Sequence, residues 1–264
     1  MSVPAFRFAP SPNGELHLGH AYSAMLNERM AREAGGRFLV RVEDIDTLRC
    51  TGELTRRTLE DLAWLGLVWE QPVRIQSEHF VCYKFQQKRL VEMGLLYPCF
   101  CSRAEIAAAS EALDPEGQPI YSGACRSLSA SEIDQRTGEG KPRAMRIDMK
   151  AAAIRTGISS ACVWGDVVMV RKDIGTSYHM AVVTDDHLQG ITNVVRGRDL
   201  EAATPIHLLL QRLLGFPSPD YHHHDLIGNE TGDKLSKSKG AKSLRSLRSE
   251  GHRAQDIRRL LGFD

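Results

Sequence analysis

The stretch Ala5-Phe6-Arg7-Phe8-Ala9, followed through Pro10 by Ser11-Pro12-Asn13-Gly14-Glu15-Leu16-His17-Leu18-Gly19-His20, sets the reading of the whole chain. Its first five residues are strand-like. Proline, asparagine and glycine then break the run, and from Leu18 the apolar residues recur at helical spacing, so strand, turn and helix follow in order. The two histidines therefore stand at a helix N-terminus. Unpaired backbone N–H groups and the positive end of the helix dipole favour an anion there, and imidazoles add further donors. A helix over 18–33, stopped by Gly35-Gly36, and a second strand over 38–45 complete one βαβ unit of a parallel sheet.

Further along, helices are predicted over 55–65 and 78–93, the latter ended by Gly94. At Leu95 the texture changes. Cysteines, an alanine-rich helix over 103–112, a Pro/Gly loop over 114–119 and a β segment over 144–149 mark a domain inserted into the first fold. That fold resumes near Ile174, with runs at 178–183 and 192–195 and an amphipathic helix over 205–214. The expected class is α/β, a Rossmann-type nucleotide-binding fold with an inserted domain. Residues 1–94 form its first half, 95–173 the insertion, 174–240 the second half, and 241–264 a short helical tail with one helical pattern at 253–261.

The 264 residues suffice for one large or two modest domains with a buried core. A formal net charge of +1 excludes bulk attraction to polyanions, so nucleic-acid affinity must come from local patches. Residues 234–264 supply one, with nine Lys/Arg against three acids. No signal pattern opens the chain and no apolar run approaches the about 20 residues of a membrane span, so a soluble, cytoplasmic protein is expected. Of the six cysteines, Cys99, Cys101 and Cys125 cluster while Cys50, Cys82 and Cys162 are scattered, a pattern of one metal site plus isolated thiols.

A second motif, Lys234-Leu235-Ser236-Lys237-Ser238, places two lysines on a Gly/Ser-rich loop. Lys237, backed by Lys234, suits charge building up on a departing pyrophosphate. The two segments together resemble the HIGH and KMSKS motifs of class I aminoacyl-tRNA synthetases, matched at His17 to His20 and Lys234 to Ser238. The resemblance implies ATP with magnesium as substrate. His17, Gly19, His20 and Lys237 would bind it, and His17, His20, Lys234 and Lys237 would act in transfer of adenylate to a carboxylate.

Arg7 and Ser11 flank the C-terminal end of the first strand, where open α/β sheets collect ligands. Glu43 ends the neighbouring strand and suits a cationic α-amino group. With Tyr178, Arg196 and the runs Val183 to Gly190 and Val195 to Gly197, this set resembles the glutamyl branch of the family, which implies L-glutamate held by Arg7, Ser11, Glu43, Tyr178 and Arg196. Two arginines facing one pocket favour a ligand with two carboxylates. Glutamine would leave a buried charge unmatched, at several kcal/mol or on the order of 10² to 10³ in discrimination. Asp44, Asp46, Asp185 and Asp186 read as structural partners or loop caps. His222 to His224, at a strand end, read as core or surface residues.

Cys99-Phe100-Cys101 and Tyr121-Ser122-Gly123-Ala124-Cys125 present three thiols and a phenol. Three thiolates and one further ligand make a closed, structural zinc site, and from residue chemistry alone the fourth place stays open. The C-x-C…Y-x3-C pattern resembles the zinc site of short, free-standing members of the glutamyl branch, which brings Tyr121 into the ligand set. In those members glutamate is activated without tRNA and attached to queuosine at the wobble position of tRNA(Asp), so the partner implied is that anticodon stem-loop. Twenty-six residues follow Ser238, fewer than an anticodon-binding domain needs, and a monomer is expected. Two other readings stand beside this one: a truncated enzyme charging tRNA(Glu), and a non-catalytic paralogue that binds glutamate or tRNA.

Overall fold

The computed structural model of the protein describes residues 3–227 and 242–263. In chain order the elements are β1 (Ala5–Phe8), α1 (Leu18–Glu33), β2 (Arg37–Val42), α2 (Gly52–Trp64), β3 (Glu70–Ile75), α3 (Phe80–Glu92), β4 (Leu96–Cys99), α4 (Arg103–Ala108) and α5 (Ala130–Gly138). They continue with β5 (Ala144–Ile147), α6 (Met149–Thr156), β6 (Val168–Val170), α7 (Tyr178–Leu188), β7 (Asn193–Gly197), α8 (Thr204–Leu214), β8 (Asp220–His224), α9 (Leu244–Ser249) and α10 (Ala254–Leu260). The chain divides into two units, residues 1–78, 189–201 and 219–264 in the first, and 79–188 and 202–218 in the second.

In the first unit, β3-β2-β1-β7-β8 form a sheet in that order with every pairing parallel. The connections run outward in both directions from β1, so the β1/β7 boundary is the switch point at which such sheets bind ligands at their strand C-termini. Strand alternation sorts the side chains. Phe6, Phe8, Phe38, Val40 and Val195 pack with Ala21, Ala24 and Met25 of α1 and Leu62 of α2 on one face, joined by Leu244, Leu247, Ile257 and Phe263. The terminal segment is thus part of the core: α9, which the sequence pattern left out, and α10 both bury apolar residues here. The opposite face begins with a small apolar cluster, Ala5, Leu39, Ile191 and Val194.

The end of α1 follows from its sequence. Gly35 adopts φ 60°, its N–H donates to Arg32 O at 3.1 Å, and the N–H of Gly36 reaches Ala31 O at 2.8 Å, a Schellman closure. A Cβ on Gly36 would lie 2.5 Å from Pro4 O, so only glycine lets β2 start beside β1.

In the second unit, β4-β5-β6 make an antiparallel sheet. The buried Asp166 carboxylate accepts from Met149 N–H at 3.0 Å and Arg126 Nε at 2.9 Å, and is also bonded to the Tyr97 hydroxyl. The range 95–173 lies inside this unit, which also takes in α3, α7 and α8. The run at 178–183 is the start of helix α7. Among the described residues no helix is long and apolar enough to cross a membrane.

Candidate active site

The N-terminus of α1 is capped by its own histidines. His17 is the N-cap, and its Nδ1 accepts from Gly19 N–H at 3.1 Å while Nδ1 of His20 accepts from His17 N–H at 3.1 Å. Two orphan donors are satisfied reciprocally, as in a Ser/Glu capping box. Because each Nδ1 accepts, the proton of each neutral ring sits on Nε2. The rings lie 3.8 Å apart at 43°. A Cβ on Gly19 would stand 3.0 Å from His17 Cε1 and 3.2 Å from its Nδ1, so the glycine of the motif makes room for the capping ring. Leu244 N–H donates to Leu16 O at 2.8 Å and Ser243 forms a bridge with His17, which fixes the chain following the lysine loop beside this helix end. Lys234 and Lys237 themselves lie outside the described residues.

On the sheet face opposite α1, charge replaces apolar side chains toward the strand C-termini. Arg7, Arg41, Glu43 and Arg196 are all buried there, with Arg41 fully so. Arg41 Nη2 donates to Glu43 Oε1 at 3.0 Å and its Nη1 to Gln189 Oε1 at 3.1 Å. Arg196 Nη2 donates to Leu200 O at 3.0 Å and its Nε to His223 Nε2 at 3.4 Å, with the guanidinium 5.1 Å from the Tyr221 ring. His223 is in register with Arg196, and burial together with that guanidinium pulls its pKa below the ordinary histidine value. Three guanidinium groups against one carboxylate leave this face positive and suited to an anionic ligand. Ser11 sits exposed after β1, its carbonyl accepting from Asn13 N–H at 2.9 Å.

Sequence reasoning named Arg7, Glu43 and Arg196, gave Gln189 no role beyond the run Val183 to Gly190, read His223 as a core or surface residue, and did not single out Arg41. For Arg41 a signal existed, since residues two apart on a strand share a face. Gln189 and His223 had none, because their partners lie 148 and 27 positions away. Asp44 accepts from Ser77 N–H at 2.8 Å and from its hydroxyl at 2.7 Å, and Asp185 accepts from the Tyr83 hydroxyl at 2.8 Å, the structural roles read from sequence.

Tyr178 belongs to the second unit, at the start of α7. Its ring is 5.4 Å from that of His179 and 5.7 Å from that of the buried His207, and these two histidines share a hydrogen bond of 3.1 Å between Nδ1 and Nε2.

In the same unit the sulfurs of Cys99, Cys101 and Cys125 all lie within 4.8 Å of one another, with 3.5 Å between Cys101 and Cys125. Zn–S bonds of about 2.3 Å in a tetrahedron hold sulfurs about 3.8 Å apart, so the cluster fits such an ion. The Tyr121 oxygen stands 3.8 Å from Cys101 Sγ and accepts from Cys125 N–H at 2.7 Å, which aims the phenol at the sulfurs. Burial pushes the Cys101 thiol up to about 11 and raises the Tyr121 phenol as well. Cys125, although burial opposes it, is held below the ordinary thiol value by hydrogen bonds from Tyr121 and the Phe100 backbone. A cation at the centre would reverse the two upward shifts.

Residues 5–262 match the family model described as tRNA synthetases class I (E and Q), catalytic domain. The chain is 45% identical to a glutamyl-Q tRNA(Asp) synthetase of Rhodobacter capsulatus over 97% of its own length and 99% of the relative's. It is 41% identical to a glutamate–tRNA ligase of Aquifex aeolicus over 96% of its own length but 55% of the relative's. A crystal structure of a glutamate tRNA ligase from Elizabethkingia meningosepticum superposes with a TM-score of 0.77 at 25% identity, covering 98% of this chain and 60% of the other.

Proposed function

The chain belongs to the class I tRNA synthetase family of glutamyl and glutaminyl catalytic domains, and on that premise we propose that it activates L-glutamate with ATP and attaches it to queuosine at the wobble position of tRNA(Asp). The observation that carries the acceptor is likeness in sequence: the chain is 45% identical to the glutamyl-Q tRNA(Asp) synthetase of Rhodobacter capsulatus and 41% identical to the glutamate–tRNA ligase of Aquifex aeolicus. The observation that favours glutamate is the buried positive face of the sheet, where Arg7 and Arg196 pair with the two carboxylates while Glu43 receives the ammonium group. Ser11 joins these residues in the proposed amino-acid site, and Tyr178 keeps the glutamate-binding role that the family resemblance implies for it.

In the first step a carboxylate oxygen of glutamate attacks the α-phosphorus of ATP in line, and the bond from that phosphorus to the α,β-bridging oxygen breaks to release pyrophosphate. Positioning supplies much of the rate, and no side-chain nucleophile takes part. The Nε2–H groups of His17 and His20 and the α1 N-terminus stabilise phosphate charge, with Gly19 admitting the close approach. Lys237, supported by Lys234, neutralises the departing pyrophosphate, and magnesium accompanies ATP. In the second step a hydroxyl of the cyclopentene ring of queuosine attacks the glutamyl carbonyl, AMP leaves, and an ester forms. The anticodon loop must present that base unstacked. We assign Cys99, Cys101, Tyr121 and Cys125 one structural zinc ion, which would tie β4 to the loop before α5; the protein acts as a monomer in the cytoplasm.

The deciding measurement is radioactive glutamate transfer to tRNA(Asp) carrying queuosine, to the same tRNA carrying guanosine, and to tRNA(Glu), together with glutamate-dependent pyrophosphate exchange without tRNA. Labelling of the queuosine form alone, with tRNA-free exchange, is expected. Equal labelling of both tRNA(Asp) forms, or of tRNA(Glu) only, overturns the acceptor.

A further inference from the structure

Arg146 stands on β5, the central strand of the β4-β5-β6 sheet, in register with Tyr97 of β4, and two residues before it Ala144 is in register with Cys99. Residues two apart on a strand share a face and cross-strand partners point together, so Arg146 projects from the side of the sheet that carries Cys99. There its guanidinium lies over the Tyr121 ring, 4.1 Å from the centroid. Nη1 donates to the Asp166 carbonyl at 2.6 Å, and the buried Nε has no hydrogen-bond partner among the described residues. No carboxylate among the described residues bonds this arginine. It is held by one carbonyl and one aromatic face, an attraction of cation for ring.

The buried Tyr121 is thereby fixed at two points. Cys125 N–H donates to its oxygen at 2.7 Å, which keeps that oxygen beside the sulfurs, 3.8 Å from Cys101 Sγ. Arg146 covers the face of the ring and makes no claim on the oxygen lone pairs, which stay available to a metal ion. We infer that Arg146 is a positioning residue of the metal seat: it holds the Tyr121 phenol against the three sulfurs and so slows the release of a bound zinc ion. This rests on the assignment of the four ligands to zinc in the proposed function. Asp166 anchors the arrangement from behind, since its carbonyl takes Arg146 while its buried carboxylate takes Arg126, Tyr97 and the N–H of Met149. Groups that hold a metal ligand in place in this way are worth about 10- to 100-fold in metal affinity.

The test follows zinc release from the zinc-loaded full chain to an excess of a chromogenic chelator. Arg146→Met keeps a long side chain but removes the charge and the planar group, and is expected to speed release roughly tenfold. Tyr121→Phe removes the ligand oxygen and should speed it at least as much. In that background Arg146→Met should add less than about twofold, because no ligand oxygen is left to position. The visible absorption of the cobalt-substituted protein, which reports the ligand set, should change in the same direction in both single variants. If Arg146→Met does not fold, Arg146→Lys, which keeps the charge but not the planar group, carries the same cycle. Release at the wild-type rate from the Arg146 variant, or an acceleration that persists undiminished beside Tyr121→Phe, overturns the inference and leaves Arg146 a tie between β5 and the loop before β6. Release at the wild-type rate from Tyr121→Phe overturns it as well, by removing the phenol from the ligand set. Wild-type chain that takes up no zinc overturns the metal assignment of the proposed function, and the inference with it.

Discussion

On the sheet face a buried guanidinium meets a carboxylate at 3.0 Å and an amide at 3.1 Å, so opposite charges satisfy one another within the protein. Around Cys101 the arrangement differs in kind, because three thiols and a phenol are all acids whose ionised forms repel. The guanidinium–carboxylate pair needs no added ion, although Arg7 and Arg196 leave the face positive. The second cluster has the donor set of a cation site, and Lys172, bonded to the carbonyls of Phe100 and Cys101 at 3.1 and 2.9 Å, is held on backbone rather than on the sulfurs. The contrast teaches that burial alone does not identify a role: opposite charges can be met within a sheet face, whereas clustered acids suit a cation.

On that division, substitutions at the residues assigned to adenylate formation should change chemistry, and substitutions at the cysteines should change stability. Lys237→Ala is expected to lower kcat for adenylate formation by roughly 10²-fold or more, because its charge matters most as pyrophosphate departs. Steady-state exchange kinetics check this, and an unchanged kcat with only a raised KM for glutamate would remove Lys237 from the reaction.

Next in size comes the metal. Chelation, or Cys125→Ser, should lose about 2 kcal/mol and lower the melting temperature by roughly 4 to 8 °C, while glutamate activation persists at temperatures where the chain remains folded. Elemental analysis of freshly purified protein with no bound metal would argue decisively against the zinc assignment, and loss of exchange activity with an unchanged melting curve would erase the contrast between the two clusters.

The smallest effect concerns His223. Its folded pKa lies below the unfolded value through burial and the neighbouring Arg196. The folded form therefore resists a proton that the unfolded chain accepts, so its contribution to stability is intact above about pH 6.5 and declines as pH falls from there through the depressed folded value. Melting curves across that window, compared with those of His223→Gln, should show a shallower acid decline in the variant. Parallel curves would mean that His223 does not titrate against Arg196.

Local interactions made much of this chain legible from its sequence. The helix expected over 18–33 spans Leu18–Glu33, because a capping pair three residues apart and a two-glycine stop are written within a few positions of each end. The same locality let the histidine motif be read at a helix N-terminus and the lysine motif be read with no structure at all. Cys99, Cys101 and Cys125 were legible as a group, since metal ligands are few in type and recur at short spacings, whereas Tyr121 joined them only through the family resemblance.

Other features were decided only when distant segments met. The apolar run Met180 to Val183 has no period that separates a buried strand from a buried helix, and packing made it helix α7. The 244–249 segment carries little helical pattern of its own, yet Leu244 and Leu247 close the core beside α1. Arg41 looked like one more charged strand residue. Its partner Gln189 is brought within hydrogen-bonding distance only by the tertiary fold. Sequence by itself determined the local geometry and the inventory of chemical groups, because caps, turns and ligand types act over a few residues. Which buried charge faces which partner was left to the tertiary structure, because burial and pairing are properties of the folded sheet and not of any one segment.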